Sequence, residues 1–121
     1  METFTELADR YIAAWNETDP DRRRALIAAT YTEGATYLDP LMKGEGHEGL
    51  HALVGGVQAQ FPGYRFSRTG PVDAHGDHLR FGWALGPEGT PTLVKGTDFC
   101  RVEEGRLASV VGFLDQMPAN L

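Results

Sequence analysis

Two rhythms run along the chain, a helical one first and an alternating one after it. Phe4, Leu7, Ala8, Tyr11, Ile12 and Trp15 recur at spacings of three and four, so they share one stripe of an amphipathic helix. Thr3 and Glu6 make a capping-box pattern at its start, and the helix is predicted to stop near residues 16–18. Asp19-Pro20 restarts the chain, with Asp as N-cap and Pro at the first helical position. The second helix is predicted to reach Thr30 or Tyr31, with Leu26 and Ile27 facing inward. Ala35–Asp39 reads as a short strand closed by Pro40, and residues 44–46 as a loop. A third helix carries Leu50, Leu53, Val54, Val57 and Phe61 on one face. Gly55-Gly56 weakens it, each Gly costing about 1 kcal/mol relative to Ala, and Pro62-Gly63 ends it.

Beyond that point the period changes from about 3.6 to two. Tyr64–Arg68 is a strand that resumes around Val72, and His75-Gly76-Asp77 is a turn. His78–Leu85 alternates, with Leu79, Phe81, Trp83 and Leu85 on one face. Residues 86–91 form a loop, and Thr92–Val102 is a long strand. Glu103-Glu104-Gly105 is a hairpin turn, Arg106–Asp115 is the last strand, and the tail from Gln116 to Leu121 is expected to be loose. Helices set apart from an antiparallel sheet define an α+β domain, here a single one over residues 1–121. In the last strand Leu107, Val111 and Phe113 fall on one face, and Ala108, Val110 and Leu114 on the other. A strand apolar on both sides is covered on both sides. The helices cover one, and a homodimer through the sheet is the simplest cover for the other.

Composition narrows the partners. The chain has 121 residues, 17 acidic and 11 basic, for a net charge of -6. Nucleic acid and anionic membrane surfaces call for clustered cations, which this balance does not supply. The one basic run, Arg22-Arg23-Arg24, has Asp19 and Asp21 beside it and reads as a solvated helix face. Cys100 is the only cysteine, so no disulfide can form within the chain. The start, Met-Glu-Thr-Phe-Thr-Glu, lacks the basic opening and apolar centre of a signal peptide, and no apolar stretch approaches a membrane span. A cytoplasmic location is the resulting expectation.

Three residues stand out chemically. On the long strand, alternation puts Val94, Gly96, Asp98, Cys100 and Val102 on one side, leaving a carboxylate in an apolar row. Burial raises a carboxyl pKa unless a cation or several donors compensate, so Asp98 is either a neutral donor or a paired group. Arg80 and Arg101 are the candidate ion-pair partners. Asp39 ends a strand before Pro, with Tyr37 on the same side, which equally suits a turn residue. Tyr11 lies in the inward stripe of the first helix near Trp15, where a core tyrosine also fits. His47 and His51 have a metal-ligand spacing without an evident third ligand, and His75 and His78 flank a turn. Phosphate-loop, paired-cysteine and Gly-x-Ser-x-Gly signatures are missing from the sequence.

The ordered trio Tyr11, Asp39 and Asp98 resembles the nuclear transport factor 2-like superfamily, and within it the SnoaL-like and ketosteroid-isomerase branch. The matching text is Arg10-Tyr11-Ile12-Ala13-Ala14-Trp15-Asn16, Ala35-Thr36-Tyr37-Leu38-Asp39-Pro40 and Thr97-Asp98-Phe99. The resemblance implies a cone, a curved antiparallel sheet wrapped around the long first helix, with three helices and a central pocket. It implies Asp39 as general base and Tyr11 with a protonated Asp98 as an oxyanion hole. It further implies pocket walls from Trp15, Leu53, Phe81, Trp83, Val110 and Leu114, with neither cofactor nor metal. A second tyrosine that braces the oxyanion-hole phenol in the isomerases has no match on the third helix, where Val54 stands; Tyr31 or Tyr37 could take that part.

Three functions follow. One is a cofactor-independent isomerase moving a proton on a small hydrophobic carbonyl compound. Another is a different SnoaL-like lyase, hydrolase or cyclase; epoxide hydrolysis would need an Arg between two carboxylates, and alternation puts Arg80 opposite Phe81 and Trp83. The last is a non-catalytic ligand-binding or dimerisation module.

Overall fold

The Thr3 hydroxyl accepts from the Glu6 amide, and the Glu6 carboxylate accepts from the Thr3 amide, closing the capping box that starts α1 (Phe4–Asn16). The computed structural model describes residues 3–119. Met1 and Glu2, which open the segment read above as lacking a signal, and residues 120–121 of the expected loose tail lie outside that range. Asp19 caps α2 (Pro20–Thr30) by accepting from the Arg22 amide, with Pro20 at the first helical position. No loop follows: α2 passes directly into β1 (Tyr31–Leu38). β2 (Lys43–Glu45) and α3 (Gly46–Gln60) come next, then β3 (Arg65–Arg68), β4 (Asp73–His75), β5 (His78–Gly86), β6 (Val94–Glu103) and β7 (Arg106–Gln116).

The seven strands form one curved, unclosed sheet in the order β2-β1-β7-β6-β5-β3, with β4 also paired to β5. Three helices cover its inner face. The architecture is the expected α+β one, with one correction: the sheet is mixed, because β1 and β7 run parallel. Hairpin logic speaks only for strands adjacent in sequence. β1 finds its long partner at the far end of the chain, and nothing in its local pattern reports direction. Of residues 44–46, read as loop, the first two belong to the strand Lys43–Glu45 paired with Thr36–Leu38, and Gly46 opens α3. The strand has no β-branched or aromatic residue to announce it.

Leu7, Ala8, Tyr11 and Trp15 of the predicted stripe are buried, joined by Ala14, whereas Phe4 is exposed and Ile12 half-buried. Each large apolar side chain so buried stabilises by about 1.5–3 kcal/mol. The turn between β6 and β7 places Glu104 and Gly105 at positive φ, 50° and 80°, as a two-residue hairpin turn requires.

Three further expectations change. Arg23 is buried, donating to the Glu17 carbonyl and to Gln58 Oε1, so only its neighbours Arg22 and Arg24 form the solvated face. Leu107 is fully buried and does not share the outer face with Val111 and Phe113. A bulge opposite Arg101 and Val102 breaks the alternation there, so Leu107 and Ala108 are both covered. Gln116 belongs to β7 rather than to a loose tail.

Candidate active site

Asp98 sits on the inner side of β6, 2% exposed, in the apolar row that alternation predicts. Its partners are not Arg80 or Arg101, which pair with Asp73 and Glu103. The Tyr11 hydroxyl donates to Asp98 Oδ2 at 2.5 Å, and Trp83 Nε1 donates to Oδ1 at 3.0 Å. Two glycines make this possible. Gly96 lies opposite Trp83 in the register, and a Cβ there would stand 2.2 Å from the indole. The indole therefore folds flat across Gly96 and reaches the carboxylate two residues on. Gly112 of β7 lies opposite Asp98, and a Cβ there would stand 2.8 Å from Asp98 Oδ1, 3.4 Å from Asp39 Cβ and 3.5 Å from the Tyr37 hydroxyl. The bare backbone at 112 is thus the point where both carboxylate residues and Tyr37 converge.

Asp39 follows β1 and holds the turn before β2. Its Oδ1 accepts from the Leu41 and Met42 amides at 2.8 and 2.9 Å, and its Oδ2 accepts from the Tyr37 hydroxyl at 2.7 Å. The turn reading thus holds, and the same side chain lies beside Tyr37 and near Asp98 across Gly112. Behind Tyr11 stands Tyr31, ring centroids 6.0 Å apart, and its hydroxyl accepts from Trp15 Nε1 at 3.1 Å. Tyr31 thus stands beside Tyr11 on the β1 side, where Val54 of the third helix offers no hydroxyl.

These groups open into a cavity of ≈ 500 Å³. Its floor holds Tyr11 and Asp98, with Asp39 on the wall. Of the side chains expected to line it, Trp15, Leu53, Trp83 and Leu114 do so. Phe81 and Val110 do not: both are sealed in the core, Phe81 with its ring edge-on to Tyr11 at 5.3 Å. They face inward as alternation says, but beneath the floor rather than beside the ligand space. Tyr37, Phe66, Val57 and Phe61 are also in the wall. His47 and His51 are elsewhere, with His47 Nε2 2.9 Å from the Tyr31 carbonyl.

Burial dominates the electrostatics. Desolvation pushes the Asp98 carboxyl up to about 6, against the two donors from Tyr11 and Trp83 that hold it down, with Asp39 adding a smaller upward push. Desolvation, followed by the Asp98 charge, drives the Tyr11 phenol well above its ordinary range, so it remains a donor. Tyr31 is raised well above that range too, chiefly by burial. Burial thus favours the neutral form of Asp98, and the Tyr11 and Trp83 donors favour the carboxylate.

A curved, unclosed mixed sheet under three helices, with a polar-floored apolar pocket, defines the nuclear transport factor 2-like fold class. Within it, the chain belongs to the SnoaL-like domain family, whose model matches residues 8–110. A solved protein from Agrobacterium tumefaciens, described as a "putative isomerase of the SnoaL-like family", is 44% identical over 92% of this chain and 96% of its own, with a TM-score of 0.88. A Catenulispora acidiphila protein with a ketosteroid isomerase-like fold, solved in complex with trimethylamine, is 21% identical over 96% of each chain at a TM-score of 0.76. A "putative polyketide cyclase" from Sinorhizobium meliloti is 15% identical over 88% of this chain and 93% of its own, at 0.71. The last two share the fold. No protein of curated function matches the chain.

Proposed function

We propose that the protein is a cofactor-independent isomerase that moves a proton between carbons of a small hydrophobic carbonyl compound. The observation that carries this reading is the convergence of three groups on one apolar cavity: Tyr11 hydrogen-bonded to Asp98 at its floor, and Asp39 on its wall. Asp39 Oδ2 removes the proton adjacent to the carbonyl, while the Tyr37 hydroxyl on the same oxygen steadies it. Negative charge develops on the substrate oxygen; with Asp98 protonated, the single Tyr11 hydroxyl hydrogen is released from Asp98 Oδ2 and turns to that oxygen, and the Asp98 proton is the second donor. The proton held by Asp39 then returns to a second carbon, so nothing is consumed. The 44% identical SnoaL-like relative supports the reading by its description as a putative isomerase.

Asp39→Asn is expected to lower kcat at least about 100-fold, the scale of a lost general base, with the melting temperature nearly unchanged. Because the mechanism needs Asp98 protonated, kcat falls as pH rises through about 6. Full turnover by Asp39→Asn on any substrate the wild type converts would overturn the base assignment. Epoxide hydrolysis is not favoured, because Arg80 pairs with Asp73 outside the cavity. The reading includes a homodimer formed through the outer sheet face and a cytoplasmic location. No described helix is long and apolar enough to cross a membrane.

A further inference from the structure

The cavity wall has an unbalanced charge. Of the residues that line it, two are carboxylates, Asp39 and Asp98, and none is Lys, Arg or His. Of the six aromatic side chains that also line it, four stand together: Trp15, Tyr37, Phe66 and Trp83. They form a connected set, with ring centroids 5.3 Å apart for Trp15 and Tyr37, 5.6 Å for Trp15 and Phe66, and 5.5 Å for Phe66 and Trp83. Buried charges are ordinarily paired. Here the buried Asp98 has only neutral donors, and the half-buried Asp39 near it also accepts only from neutral groups.

We propose that the same cavity binds a lipophilic ammonium compound, a quaternary or tertiary amine, whose cationic head is held between Asp39 and Asp98 against the surrounding aromatic rings. The head supplies the missing counter-charge, and aromatic faces attract a desolvated cation. An alkyl or aryl tail would occupy the wall formed by Leu53, Val57, Phe61 and Leu114. A carboxylate-bearing ligand is refused by the same field.

This ligand goes beyond the isomerase reading and takes the opposite state of Asp98. The groups that face Asp98 are Tyr11 from α1, Tyr31, Tyr37 and Asp39 from β1 and the turn after it, Trp83 from β5 and Cys100 on its own strand; bare Gly112 comes from β7. The tyrosines and Cys100 are raised by burial and stay neutral, so Asp98 and Asp39 set the charge. Ammonium binding therefore strengthens as pH rises through about 6, whereas proton-shift turnover weakens.

The test is a titration of the whole chain with benzyltrimethylammonium and, separately, with its uncharged isostere neopentylbenzene, followed by Trp15 and Trp83 fluorescence. The cation is expected to bind about tenfold more tightly at pH 8, a preference within reach of one desolvated cation–aromatic contact. The preference should shrink at pH 5 and in Asp39→Asn and Asp98→Asn. Equal or tighter binding of the isostere by the wild type at pH 8 would overturn the proposal, as would a preference that both variants retain. A proton-shift assay reads the isomerase proposal separately. Ammonium preference without turnover leaves this inference standing alone, and turnover without ammonium preference ends it.

Discussion

At the scale of single residues, Asp98 is the group whose environment does most. Its pKa is raised in the folded state, from 3.8 to about 6, so the folded chain holds its proton more tightly than the unfolded one. The linked stability is fully present below about pH 4 and is lost as pH rises through about 6. At about 1.4 kcal/mol per unit, this amounts to about 3 kcal/mol. Urea unfolding at pH 4 and pH 7 should show the wild type losing about that much more than Asp98→Asn over the interval. Parallel profiles for the two proteins would show that Asp98 titrates normally. The oddity of Asp98 was legible from alternation alone, because a strand has a period of two whatever surrounds it. Its partners were not legible. Trp83 reaches it only because Gly96 lies opposite, and Asp39 comes near only because Gly112 does. A glycine's meaning there depends on strand register, which one sequence does not display.

At the scale of elements, the long periodic segments could be read and the joints could not. The three helices and the strands β5 to β7 lie where their patterns put them, although Arg23 of α2 turns inward and β7 breaks its alternation at Leu107. The errors gather at the parallel β1–β7 pair, the short β2 and the bulge at Leu107, where backbone pairing decides and side-chain pattern is mute. α3 shows how a local reading can be right in cost and incomplete in purpose. Gly55 and Gly56 do weaken the helix, but a Cβ on Gly55 would stand 3.3 Å from buried Arg23 Nη1, and Gly56 lines the cavity with open space before it. Gly56→Leu should therefore stabilise α3, by up to about 1 kcal/mol on propensity, while filling part of the ligand space. The expected result is an unchanged or higher melting temperature with ligand affinity lowered at least about tenfold, since overfilling a packed site costs about 1–3 kcal/mol. A variant that keeps both affinity and stability would place the ligand away from this wall.

At the scale of the whole molecule, the sheet has a second face that the helices never reach. Leu38, Phe99, Val111 and Phe113 are 51%, 42%, 39% and 53% exposed there. They are neighbours across three strands: Val111 is level with both Leu38 and Phe99, and the Phe99 and Phe113 rings meet edge-to-face at 5.6 Å. A contiguous apolar patch of this kind on an otherwise acidic protein supports the proposed homodimer. A second copy is the occupant the fold offers most directly, because a two-fold axis through the patch would set each aromatic pair against its counterpart. The net charge of -6 per chain opposes such pairing at long range, and salt screens that repulsion without weakening apolar contact. Self-association should therefore tighten as salt increases. In the proposed dimer Phe113→Glu removes a large apolar contact and buries a charge, so self-association should weaken by at least about tenfold, given the 1.5–3 kcal/mol scale of one buried Phe. Because Phe113 points away from the cavity, the titration of Asp98 should be unchanged in that variant. Sedimentation velocity across a concentration series checks both parts. A wild type that stays monomeric at high concentration in salt would show that the patch serves something other than a second copy.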